Sequence, residues 1–192
     1  MFGDSLIAAL GDPRGVGWVG RVAAVQISGL TVTTYPLGVR DESTEEAVVR
    51  MPLEAAARFA RGDDHRIVLA TGISDAERDT DPLAVAAALD FGLASVSGPA
   101  LVVGPAPVGG DELRHRIAQV DAVFTRVCAR RGVPYVATYS RLVGRLPWER
   151  SVAGRSYPDA TGYALLAKVV LEDGWRDWLT DPHGHRAGKD DR

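Results

Sequence analysis

The residues best placed to do chemistry stand at the start of the chain, in Gly3-Asp4-Ser5-Leu6. A serine preceded by Gly-Asp and followed by Leu-Ile-Ala-Ala-Leu reads as a strand end turning directly into a helix. That arrangement lifts the Ser5 hydroxyl above the carboxyl edge of a sheet, beside helix N-terminal amides. Such a hydroxyl can attack a carbonyl carbon while backbone amides stabilise the developing oxyanion, which is what acyl transfer requires. Gly38, Gly72-Ile73-Ser74-Asp75 and Gly104-Pro105 mark three further strand ends of the same kind. An ordinary helix cap would use the same Asp or Ser, so Ser5 takes its meaning from the elements that position it.

Those elements alternate. Residues 17–28 carry apolar side chains at helical spacing and close on Gly29, and residues 31–35 are β-branched and alternating, a strand ending at Pro36-Leu37-Gly38. Ser43-Thr44-Glu45-Glu46 is a capping box opening a helix towards Arg61, with Pro52 implying a kink or two shorter helices. Residues 66–71 form an apolar strand, 82–96 an Ala- and Leu-rich helix, 100–103 a buried strand, 111–131 the longest helix and 134–137 a strand. Asp159 caps a last helix through Leu171, with a short segment at 175–179 behind it. Strands apolar on both faces and separated by helices mean a parallel sheet covered on both sides. Residues 1–180 read as one domain, and the Gly-, Lys-, Asp- and Arg-rich tail from Asp181 reads as disordered.

The chain has 192 residues, enough for a full core, with 46% hydrophobic and 24% charged residues. A net charge of -3 gives no footprint for nucleic acid or an anionic membrane. No apolar run reaches membrane-spanning length, and with four residues ahead of Ser5 a signal peptide is not expected in this sequence. The single Cys128 excludes an internal disulfide and fits a cytoplasmic protein, and its helical setting makes it a packing residue. The reading contains no cofactor and no metal, and it leaves the oligomeric state open.

Taken together these motifs resemble the SGNH or GDSL hydrolases over nearly the whole chain. Gly3-Asp4-Ser5-Leu6 matches the nucleophile block, and Tyr35-Pro36-Leu37-Gly38-Val39-Arg40 is similar to the second block, whose Gly donates an oxyanion amide. Gly72-Ile73-Ser74-Asp75 is similar to the third block, normally Gly-x-Asn-Asp, and the stretch from Pro158 to Ala167 to the one after the catalytic His. Trp18 to Arg21, Gly104-Pro105 and the 174–179 segment resemble the actinobacterial branch of GDSL lipases. The resemblance implies a three-layer α/β/α flavodoxin-like sandwich with about five parallel strands. It also implies a small-molecule acyl substrate, an ester or a carrier thioester, for Ser5.

The chain departs from the family pattern where the chemistry is done. The last family block, Asp-x-x-His-Pro, aligns with Gly154-Arg155-Ser156-Tyr157-Pro158, and the oxyanion Asn aligns with Ser74. A serine hydroxyl is nearly inert without a base to accept its proton, and a phenol holds its own proton at neutral pH. One lost oxyanion donor costs about 2.7–4 kcal/mol of transition-state stabilisation. His65 precedes its strand, His115 lies on the long helix, and His183 and His185 fall in the tail, so none is an obvious replacement. Conventional hydrolysis is therefore expected to be impaired. Two readings stay open: altered acyl chemistry with Ser5, Gly38 and Tyr157 in the site, or a binding or partner protein that kept the scaffold.

Overall fold

The structure is a computed structural model, and it describes residues 1–27, 29–59 and 64–181. In chain order the elements are β1 (Phe2–Gly3), α1 (Gly17–Ala23), β2 (Leu37–Gly38), α2 (Thr44–Phe59) and β3 (Ile67–Ala70). They continue with α3 (Ile73–Glu77), α4 (Pro82–Ser95), β4 (Ala100–Val103), α5 (Asp111–Arg131) and β5 (Tyr135–Val136). The chain then forms α6 (Thr138–Leu142), α7 (Leu146–Val152), α8 (Ala160–Val170), a π-helical turn (Leu171–Trp175) and α9 (Arg176–Thr180).

The five strands form one parallel sheet in the order β2-β1-β3-β4-β5. α2 packs on α4 and α4 on α5 in one layer, while α1 packs on α8 in the other, giving the expected three-layer α/β/α sandwich. The centre of the sheet is dry: Ile67, Val68, Leu69, Leu101, Val102 and Val103 are all buried. The strand order reverses between β1 and β3, and the crevice outside their carboxyl ends is where open α/β sheets bind ligands. Ser5 follows β1 there and Ser74 follows β3.

Several expected elements come out differently. β1 has only two residues, and it takes Leu37 and Gly38 as its partners. The alternating residues 31–35 therefore find no strand to pair with and run as exposed, irregular chain, tied down where the Met1 ammonium donates to Tyr35 O at 2.9 Å. The helix expected over 17–28 ends at Ala23. The helix expected directly after Ser5 is a set of turns instead, with Ala8 N donating to Asp4 O and Leu10 N to Ser5 O. Ala9 stops it by adopting φ +58°, the left-handed region. α2 runs through Pro52 as one helix, with the Pro52 ring on its exposed face. The tail 182–192, with His183 and His185, lies outside the described residues. No described helix is long and apolar enough to cross a membrane.

Candidate functional site

The Ser5 turn is built from its glycine outward. A Cβ on Gly3 would stand 1.8 Å from Ala70 O, so only glycine lets β1 and β3 close at this point. Asp4 is then buried, 2% exposed, where its carboxylate accepts from Leu6 N at 2.9 Å and from the Ile73 amide. These bonds tie the residue after the nucleophile to the start of α3. Burial pushes the Asp4 carboxyl up to about 7, helped by the nearby Asp75. Asp75 is raised by burial as well, although it accepts from Thr44 N at 2.9 Å and Thr44 Oγ1 at 2.7 Å. Thr44 Oγ1 also meets Thr71 Oγ1 at 2.9 Å, so a buried polar network holds the first turn of α2 against the end of β3. The far side of the turn is held by Tyr163 on α8, whose hydroxyl donates to Leu10 O at 2.6 Å.

Ser5 itself is buried, 5% exposed, and its hydroxyl meets two residues from distant parts of the chain. The Asp41 backbone N–H donates to Ser5 Oγ at 3.0 Å, and Ser5 Oγ donates to Asp41 Oδ1 at 3.3 Å. The Tyr157 hydroxyl lies 3.5 Å from Ser5 Oγ and donates to the same Asp41 Oδ1 at 3.0 Å. Arg40 Nε donates to the other carboxylate oxygen at 3.2 Å. The hydrogen bond from Tyr157 is the main reason the exposed Asp41 carboxyl sits below its usual range, with Arg40 and Ser5 adding to it.

Asp41 adopts φ +57°, a conformation uncommon outside glycine. Both of its peptide groups are occupied: the N–H by Ser5 Oγ and the C=O by Arg78 Nη2 at 2.6 Å. A strained residue persists when its surroundings over-determine it, and such residues cluster at functional sites. Arg78 reaches Asp41 from the end of α3, and its other arm holds Glu46 at 3.1 Å.

Of the sequence-predicted residues, Ser5 and Tyr157 are brought together. Gly38 stands beside the turn after Ser5, where a Cβ would come within 2.3 Å of Ala8 N. Its neighbours Leu37 and Val39 both donate inward, to Met1 O and Gly3 O. Successive amides of a strand alternate sides, so the Gly38 N–H faces away from β1. The amide in reach of Ser5 Oγ belongs to Asp41, three residues further on. Ser74 is buried in the first turn of α3, and among the described residues no hydrogen bond joins it to Ser5. Gly154 is exposed at φ +65° with open space around it.

His65 stacks on Phe59 with ring centroids 4.5 Å apart, and His115 faces Gln119 at 3.3 Å, both away from Ser5. Among the described residues no group of three His, Cys, Asp or Glu could hold a metal ion. A cleft of about 390 Å³ adjoins the site, lined by Ile7, Ala8, Val16, Val19, Pro36 and Gly38 among others. Sequence reasoning passed over Asp41. The available signal was a charged run, Arg40-Asp41-Glu42, between a strand's carboxyl end and a capping box.

Comparison with known proteins bears on this geometry. Residues 1–165 match the model of the family described as the GDSL-like lipase/acylhydrolase family. A lipolytic G-D-S-L family protein from Veillonella parvula superposes with TM-score 0.69 at 24% identity, over 88% of this chain and 93% of its own. A lipase/acylhydrolase from Enterococcus faecalis does so with TM-score 0.71 at 18% identity, over 89% and 91%. An acetylxylan esterase from Geobacillus stearothermophilus gives TM-score 0.72 at 17% identity, again over 89% and 91%. At these identities the likeness establishes the fold. No curated protein matches the sequence.

Proposed function

The chain belongs to the GDSL-like lipase/acylhydrolase family, and from that premise we propose that it acts on an acyl-type small molecule, an ester or a carrier thioester, with Ser5 as the acyl-accepting hydroxyl. Ordinary ester hydrolysis is impaired in this reading, because Gly154 and Tyr157 stand where the family pattern has Asp and His. The observation that carries it is the Ser5 hydroxyl lying against Asp41 and the Tyr157 phenol, with no imidazole from His65 or His115 beside it. The Asp41 amide donates to Ser5 Oγ at 3.0 Å, and on this account it holds the serine oxygen in place for attack. Gly38 and Ser74 shape the same strand-end crevice, and Tyr157 is a hydrogen-bond donor there. Transacylation, dehydration or cyclisation of a biosynthetic intermediate suits such a site better than hydrolysis. The names of the structural relatives, a lipase/acylhydrolase and an acetylxylan esterase among them, support the acyl class.

One observation favours a second reading, a binding protein on a hydrolase scaffold. The Ser5 hydroxyl both donates to and accepts from Asp41, so its own neighbour occupies it fully at rest. Incubating the purified protein with a panel of acyl N-acetylcysteamine thioesters, with products followed by mass spectrometry, separates the two. The enzyme reading expects processing of at least one thioester that Ser5→Ala abolishes. Saturable binding without processing, equal in wild type and Ser5→Ala, overturns it in favour of the binding protein.

A further inference from the structure

We propose that the Asp41 carboxylate is the proton acceptor for Ser5, so that nucleophile and base form a serine–aspartate pair at the exposed edge of the sheet. The inference rests on Ser5 being the acyl-accepting hydroxyl, and it names the group that activates it. The geometry is that of a nucleophile, a base and an orienting partner. Ser5 Oγ donates to Asp41 Oδ1 at 3.3 Å, close to the reach expected of a nucleophile–base pair before substrate tightens it. Tyr157 fixes the same oxygen at 3.0 Å, Arg40 fixes the other at 3.2 Å, and Arg78 clamps the Asp41 carbonyl. Two donors on the carboxylate and two bonds on a left-handed backbone hold the side chain of an exposed residue in one orientation. Nothing in packing requires this, because the Asp41 side chain is 54% exposed.

The step balances without any further cofactor. The Ser5 O–H bond breaks as Oγ bonds to the acyl carbon, the proton passes to Asp41 Oδ1, and the carbonyl π electrons move onto oxygen to give the oxyanion. Collapse expels the alcohol or thiol, which takes the proton back from Asp41. A second nucleophile, water or the hydroxyl or amine of an acceptor, then gives its proton to Asp41 as it bonds to the acyl carbon; the Oγ–acyl bond breaks, and Ser5 Oγ takes that proton back from Asp41. A carboxylate is a weaker base than imidazole, so the pair is slow on small esters, aryl acetates included, and depends on an acyl donor that binding holds against Ser5.

The charged and titratable groups facing Asp41 are Tyr157, Arg40, Arg78 and Glu77, the last raised mainly by burial and then by Asp41 itself. The hydrogen bonds to its carboxylate keep Asp41 ionised at and above pH 5. A fluorophosphonate probe reads Ser5 nucleophilicity without needing the natural substrate, and Ser5 is identified by peptide mass spectrometry. The expected labelling rate is dependent on Ser5 and changes less than about three-fold between pH 5 and pH 8. Asp41→Asn keeps the shape and tolerates the left-handed backbone, and it is expected to slow labelling by about 10²-fold. A rate that climbs with pH through 6 to 7 as a histidine titrates, or labelling of Asp41→Asn as fast as wild type or faster, overturns the proposal. Absence of Ser5 labelling in a protein that still binds an acyl thioester overturns it too and leaves the acyl-binding reading standing. A flat, Asp41-dependent profile with no thioester recognised supports the pair and removes the thioester as substrate.

Discussion

Asp4 and Asp41 both hold the Ser5 turn, one from below and one from above, and the same side chain meets opposite surroundings. Asp4 is buried among backbone amides, and desolvation lifts its carboxyl to about 7. Asp41 stands at the exposed edge, and donors from Tyr157, Arg40 and Ser5 hold its carboxyl below the usual range. Asp4 bonds the peptide groups that shape the turn, whereas Asp41 bonds the reacting hydroxyl itself. The difference teaches that proximity to a nucleophile does not assign a role. A carboxylate locked between two amides is scaffold, and one whose oxygen faces the hydroxyl can move a proton.

The largest expected effect comes from making Asp41 redundant. Tyr157→His with Gly154→Asp offers Ser5 an imidazole and an orienting carboxylate. Gly154 has no atom within 4 Å of a new Cβ, and Asp is among the residues that accept its φ of +65°. Esterase kcat/KM should rise by about 10²-fold or more, and further than with either change alone, because such residues act as a unit. No gain in the double variant would point to the oxyanion site, and adding Ser74→Asn is the next step.

Next in size is Asp4→Ala, which leaves the Leu6 and Ile73 amides buried without an acceptor. Each such loss costs about 1–3 kcal/mol, so urea unfolding should show a clear drop in midpoint. Asp41→Asn should unfold like wild type; equal losses in both variants would erase the contrast between them.

A smaller effect is pH-dependent. Asp4 binds its proton more tightly in the folded protein than at the ordinary value of 3.8. Its contribution to stability is therefore fully present below pH 4 and is lost as the pH rises towards 7. Asp75, also raised, acts in the same direction. Asp4→Asn should flatten the fall in stability between pH 5 and 7 by an amount on the order of 1 kcal/mol. An unchanged slope would remove Asp4 from the account.

The smallest change is Tyr157→Phe. The half-buried ring is kept, so stability should stay within about 0.5 kcal/mol. Losing the hydroxyl frees Asp41 Oδ1, and acyl-substrate turnover or affinity should shift several-fold. If neither shifts, Tyr157 is a packing residue.

Most of the fold could be read in advance where the signal was local. The Ser43–Glu46 box opens α2 with both expected bonds, Ser43 N to Glu46 Oε2 at 2.7 Å and Glu46 N to Ser43 Oγ at 3.3 Å. Asp159 caps α8 through Thr161 N and Gly162 N. The apolar runs at 67–70 and 100–103 are strands because both of their faces are covered. Residues 31–35 misled because strand pattern needs a partner, and the short β1 offered only two residues. α6 and α7 went unassigned because each is under eight residues and rests on tertiary packing, as where Trp148 is buried with its indole bonded to Pro107 O. In the site, the Ser5–Tyr157 meeting followed from family resemblance. Asp41 was invisible because its left-handed turn is imposed by Ser5 and Arg78, 36 and 37 residues away along the chain.

The most direct measurement is hydrolysis of p-nitrophenyl acetate by wild type and Ser5→Ala, side by side. A Ser5 hydroxyl served by a carboxylate and a phenol should give a rate near background, with little difference between the two proteins. A rate typical of an efficient esterase, abolished by Ser5→Ala, would show that a full-strength base reaches Ser5 and would contradict the account.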